Sequence, residues 1–295
     1  MGYLFLVISK IIAVAKSVFV KKCGTIAVGF KSNVLTNLIR ALGCFIVSLV
    51  MCLIVGFSKI DSVGLWLSIL SGVANGLFLC VWLYSATYVS VCTVEVFSMV
   101  GGVVVPLLLA PLLINGDSVT ILQIFGSVLL LIAVFTFSKG GIKGKFNALT
   151  ILTLISCLIC NAVVMITQTC YSHYSIGSSE DFQFYTFLFA SLTLILFYLI
   201  LSFFTNKKGE NVESPKFNKK ALIFIFLAII TLYFTNFFSK LSTLYLDQTV
   251  FYPLSYVIAM PLTFLVDVIV FKEKVTKLNV IGLILVVSAG ILVNI

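Results

Sequence analysis

Polar breaks divide the chain into ten apolar stretches, at 3–20, 33–56, 63–85, 89–113, 121–137, 147–170, 183–204, 219–240, 247–271 and 278–294. Each is close to the roughly 20 residues that a helix needs to cross the hydrocarbon core of a bilayer. Lipid offers no partner to backbone N–H and C=O groups, so stretches of this kind pair their backbone internally as helices. Only 10% of the residues are charged and mean hydropathy is +1.22, against about 25% charged in a soluble domain. The expected fold class is an all-α membrane protein with ten transmembrane helices, multi-pass in the cell membrane.

The stretch from Ser85 to Val134 is repeated between Leu241 and Gly290. In the first copy a polar turn, Asn115-Gly116-Asp117-Ser118-Val119-Thr120, leads to Gln123 and Gly126. In the second, Lys272-Glu273-Lys274-Val275-Thr276 leads to Asn279 and Gly282. The acid, the Thr, the amide and the Gly recur at the same spacing, which marks an old internal duplication. Two halves, 1–140 and 147–295, then hold five helices each. Because five is odd, the second half enters the membrane inverted. Inverted repeats place a binding site at their interface near the bilayer midplane.

The connections are too short for a soluble domain; the longest polar stretch is Thr205 to Asn218. No Gly-x-x-x-x-Gly-Lys-Ser/Thr phosphate cradle occurs, so active transport by such a chain draws on an ion gradient rather than ATP. The net charge of +9 reflects topology, not a nucleic-acid partner. Lys21, Lys22, Lys31, Lys139, Lys143, Lys145, Lys207, Lys208, Lys216, Lys219, Lys220, Lys272, Lys274 and Lys277 follow stretches one, five, seven and nine. The other side has little beyond Lys59 and Lys240. The positive-inside rule makes the odd loops cytoplasmic and both termini external. The cysteines, including the Cys157-x-x-Cys160 pair, fall almost entirely in apolar stretches and read as small hydrophobes. Lys10 interrupts the first stretch and no basic segment precedes it, unlike a cleavable signal. No cofactor, metal or obligatory protein partner is expected.

Chemistry is sought in polar groups at membrane depth, which cost about 2.5–3.5 kcal/mol or more when charged and persist beside a cavity or a partner. Glu95 leads, with Ser98, Met99 and Gly102 on its helix face. Burial disfavours the charged form of a carboxyl, which is the requirement for proton coupling; the bland reading is an ion pair with Lys10. Lys10, in mid-helix, suits such a pair or the carboxylate of a substrate. Lys16 is nearer the helix end and is expected to snorkel to the headgroups. Polar stripes add Asn75 and Trp82 with Ser71, Asn161 with Gln168, Tyr233 with Asn236 and Lys240, and Gln248 with Tyr252 and Tyr256. These read as cavity lining or as interhelical hydrogen bonding. Pro106, Pro253 and Pro261 predict kinks in stretches four and nine. Asp117 and Glu273 read as structural acids in turns, with Thr120 and Thr276 capping the following helices. Gly126 and Gly282 are expected to allow close packing, and His173 to be a solvated loop residue.

The doubled acid, Thr, amide and Gly pattern, with Pro261 before Glu273, Gly290 after Gly282, and Lys22 and Arg40 around the first connection, resembles the EamA-type members of the drug/metabolite transporter superfamily. Departures are Asp117 where Glu is usual and Val134 opposite Gly290. The resemblance implies two inverted five-helix repeats, a central cavity among helices one, three, four, six, eight and nine, and movement of small organic solutes, often efflux of amino acids or related metabolites. It also favours cytoplasmic termini, against the lysine bias. The expected function is a secondary transporter and not an enzyme, with Glu95 and Lys10 in substrate or proton coupling. The competing readings are an exporter of hydrophobic cations, an intramembrane enzyme, and a structural membrane protein.

Overall fold

The computed structural model describes residues 1–26, 30–106, 108–109, 120–140, 148–207, 219–243, 245–246 and 248–293. Among them run ten helices: α1 (Gly2–Ile26), α2 (Phe30–Val55), α3 (Ser62–Tyr88), α4 (Val91–Met99, passing into a π-helical turn at Val100–Val104), α5 (Ile121–Gly140), α6 (Ala148–Tyr174), α7 (Ser179–Lys207), α8 (Lys219–Thr243), α9 (Gln248–Ile269) and α10 (Lys277–Val293). Each overlies one apolar stretch. By length and composition α1, α2, α3, α6, α7 and α8 can cross a membrane, whereas the apolar runs in α4, α5, α9 and α10 are shorter. Large apolar side chains such as Leu53, Trp66, Phe125, Leu196, Phe203 and Ile284 point outward and are more than half exposed, as lipid-facing positions should be.

The helix starts follow from capping chemistry. The repeated Thr caps its helix in both halves, and in the first the amide three residues on completes a reciprocal box. In the first, Gln123 N–H donates to Thr120 Oγ1 (3.3 Å) and Thr120 N–H donates to Gln123 Oε1 (3.0 Å). In the second, Asn279 N–H donates to Thr276 Oγ1 (3.2 Å), whose hydroxyl donates to Asn279 Oδ1 (3.0 Å). Ser90 caps α4, accepting from Thr93 N–H at 3.1 Å, and Ser178 caps α7, accepting from Asp181 N–H at 3.2 Å. Asp117 and its turn lie outside the described residues.

Helices pack across the two halves of the chain. α1 runs along α8, α3 along α6 and α7, α5 along α10, and α2 along α7 and α8. One buried cluster joins Leu6, Met99, Val103, Leu130, Phe251, Met260 and Val286; a second joins Val20, Leu83, Val91 and Leu154; a third joins Val34, Ala41, Leu79, Phe187, Leu194 and Leu232. Gly126 and Gly282 are buried on α5 and α10. Two glycines mark close approaches to the backbone of another helix. A Cβ on Gly72 would lie 2.7 Å from the Thr186 carbonyl oxygen of α7, and a Cβ on Gly101 would overlap the backbone of Leu158 on α6. Backbone cannot move aside as a flexible side chain can, so Gly101→Ala should destabilise the protein by about 1–3 kcal/mol. Thermal unfolding in detergent reads this directly, and a wild-type melting curve would contradict the close approach.

Candidate functional site

A cavity of about 170 Å³ lies among α1, α3, α4, α6, α7, α8 and α9. Its lining extends from Phe182 in the first turn of α7 and Lys240 in the last turn of α8 to Trp82 and Glu95. The structure brings Lys10, Asn75, Trp82, Glu95, Asn161, Gln168 and Asn236 to this one space, together with Ser71 and Ser98. Tyr233 belongs elsewhere: it is 3% exposed, with its ring stacked on Phe237 at 6.4 Å. The stripe of α8 that meets the cavity is instead Leu232, Thr235, Asn236, Ser239 and Lys240. The side chains of Gln248, Tyr252 and Tyr256 lie outside the described set.

Glu95 projects from α4 one turn after its start. Its Oε1 accepts the Ser17 hydroxyl of α1 at 2.9 Å, and Lys10 and Lys16 are within coulombic reach. Lys10 also stands 5.5 Å from the centroid of the Phe251 ring, a cation–π distance. Lys16 does not snorkel; it lines the cavity. The bilayer expectation fails for it because a polar cavity lies within reach of its long side chain. Asn161 does two jobs, lining the cavity and donating from Nδ2 to the Ser98 carbonyl at 2.7 Å. That carbonyl lies just before the π-helical turn, where the regular α-helical hydrogen-bond ladder is interrupted.

Neighbouring contacts tie both ends of the helix bundle. On the side of the odd-numbered connections, Lys21 pairs with Glu273 at 2.9 Å and lies 4.3 Å from the Phe271 ring centroid. Asp267 of α9, 3% exposed, accepts the Cys92 N–H at 2.7 Å. An acid on the positive end of α4 is favoured by the helix dipole. Asp267 escaped the sequence reading, although the rule that singled out Glu95 applies to it equally. On the other side, Lys240 stands 5.2 Å and 5.3 Å from the ring centroids of Tyr171 and Phe182. Asp181 accepts from Ser58 N–H (3.1 Å) and the Ser178 hydroxyl (2.6 Å), and Asp61 accepts from the Ser175 hydroxyl (2.7 Å). His173 lies in the last turn of α6 with its ring against Tyr174. The family-like set of helices missed α7, which supplies Phe182, Gln183, Thr186 and Phe187. The signal was available: Gln183 and Thr186 are polar and three residues apart.

Comparison with known proteins shows a shared fold. The chain is similar to a solved crystal structure with a TM-score of 0.61 and 14% identity, over 96% of this chain and 97% of that one. No protein-family model matches the sequence, and no curated protein matches it.

Asp61 sits in the connection ahead of α3, and the Ser175 hydroxyl, followed by the Gly64 N–H, holds its carboxyl below the ordinary 3.8. A depressed carboxyl stabilises the fold above its unfolded value, and this contribution is lost as pH falls through the folded value. Asp61→Asn keeps a capping side chain but removes the charge. Its melting temperature should therefore fall below wild type at neutral pH and converge with it below about pH 4. A gap that does not change with pH would show that charge is irrelevant there.

Proposed function

We propose that this chain is a secondary transporter that moves a small organic metabolite across the plasma membrane by alternating access. In this reading residues 1–140 and 147–295 are inverted five-helix repeats of the EamA type. All ten helices cross the bilayer, the lysine-rich odd connections face the cytoplasm, and the direction is efflux. The observation that carries the reading is the cavity, in which Glu95 and Asn75 from one half meet Asn161, Gln168 and Asn236 from the other around a space of small-solute size.

Helix pairing supports the repeat. Exchanging each helix for its counterpart five places along turns the α1–α8 pair into α6–α3 and the α3–α7 pair into α8–α2. It returns α5–α10 and α2–α7 to themselves, and every one of these pairs is in contact. An interface of this kind is where pseudo-symmetric carriers hold their solute.

Glu95 takes the coupling role because a carboxylate beside a small polar space can exchange a proton with whichever side is open. The Ser17 hydroxyl donates to its Oε1 at 2.9 Å, and an incoming solute competes for the same neighbourhood. Coupling requires this kind of differential affinity between states.

Reconstituted vesicles test the proposal with labelled amino acids, organic acids, nucleosides and lipophilic cations under an imposed proton gradient. At least one solute should accumulate with the gradient, and Glu95→Gln should cut gradient-driven accumulation at least tenfold while the protein stays monodisperse. Full accumulation by the variant removes Glu95 from coupling. Absence of flux for every solute rejects transport itself.

A further inference from the structure

The charges around the cavity narrow the solute class. Resting on the transport reading, we propose that the solute is a small organic anion held by Lys10 and Lys16.

Among the described residues the charged side chains on the cavity wall are Lys10, Lys16, Lys240 and Glu95. Lys240 is offset at the cavity edge, where Glu180 and Asp181 are within coulombic reach. Further along, Lys10 and Lys16 face the single carboxylate of Glu95. Behind Lys16 stands Arg40, 2% exposed, which donates from Nη1 to the Asn37 side-chain oxygen at 2.5 Å. The other groups that Arg40 feels most are the thiols of Cys23, Cys44 and Cys80. Among the described residues two cavity cations thus face one carboxylate, with a third cation behind them, in an interior where buried charge is costly. An entering anion lowers that cost and an entering cation does not.

Size points the same way. A space of about 170 Å³ is well below the roughly 300–1,000 Å³ of pockets for drug-sized ligands. It suits an acid of a few carbons and not a bulky hydrophobic cation. Lys10 and Lys16 are six residues apart, about 9 Å along the helix axis, so a solute with acid groups at both ends can meet both ammonium groups. The amides of Asn75, Gln168, Gln183 and Asn236 are then available to its remaining oxygens. Carboxylate and phosphate share the chemistry that such a site recognises.

The test is flux into vesicles holding the full-length protein, with labelled pyruvate, succinate and glycerol 3-phosphate as anions, and succinamide and putrescine as the neutral and cationic partners of succinate in length. The expected result is flux of at least one anion, with succinamide and putrescine excluded. Lys10→Met and Lys16→Met should each weaken apparent affinity for that anion about tenfold or more. Lys16→Arg, which keeps the charge, should remain within about threefold of wild type, and gel filtration confirms that each variant is folded. Flux confined to succinamide or putrescine overturns the anion assignment and leaves transport standing. Anion flux indifferent to both lysine changes overturns the site. No flux of any probe, or of any solute in the broader panel above, removes both proposals together.

Discussion

Along a helix that faces hydrocarbon, a backbone N–H or C=O without a partner costs several kcal/mol, and this cost decides where the chain can depart from regular helix. The π-helical turn at Val100–Val104 lies on buried residues, and Asn161 donates to the nearby Ser98 carbonyl. The first turn of α4 faces the same problem with its N–H groups. Ser90 takes the amide of Thr93 and Asp267 takes that of Cys92. Because Asp267 belongs to α9, satisfying the backbone of the fourth helix also fastens it to the other half of the chain.

The same constraint explains why the polar side chains collect. Ser68, Ser71, Asn75 and Asn161 are all nearly inaccessible, whereas the outward faces of the long helices are Leu, Ile, Val, Phe and Trp. With lipid as apolar as leucine, helix association rests on close packing and on hydrogen bonds between helices. Gly72 and Gly101 supply the first, by allowing contact with the backbones of α7 and α6. Ser9 and Ser239, 2.7 Å apart, supply the second between α1 and α8. The cavity is what remains where polar groups from seven helices meet without filling the space between them.

The helices were legible in the sequence because hydropathy and capping are local. Ten stretches overlie ten helices, and the Thr in the pattern that revealed the duplication is the helix cap in both halves. The site was legible in part. Glu95, Lys10, Asn75 and Asn161 stand out because a polar residue in an apolar stretch has few places to go. What stayed hidden depends on helix rotation, which a stripe of low amphipathicity does not define. Tyr233 and Asn236 share a stripe, yet only Asn236 reaches the cavity. Lys16 lies nearer a helix end than Lys10, yet it turns inward because a polar interior lies within reach of its long side chain. The contribution of α7 depends on which helices become neighbours over a long sequence separation.

Both ends of the bundle are tied through carboxylates, and the ties bear on how the proposed carrier would move. On the lysine-rich side the ties are ionic or strongly directional: Lys21 to Glu273, and Asp267 to the amide of Cys92. Both link α9 or the turn after it to the other half, so opening this end requires an ion pair and a charge-assisted hydrogen bond to separate. On the opposite side carboxylates again accept directional hydrogen bonds. Asp61 and Asp181 bind the connection between α2 and α3 to that between α6 and α7, and the Lys240 ammonium rests on aromatic rings. In the proposed carrier, opening either end separates hydrogen bonds to a carboxylate, and the end joined by Lys21, Glu273 and Asp267 adds an ion pair.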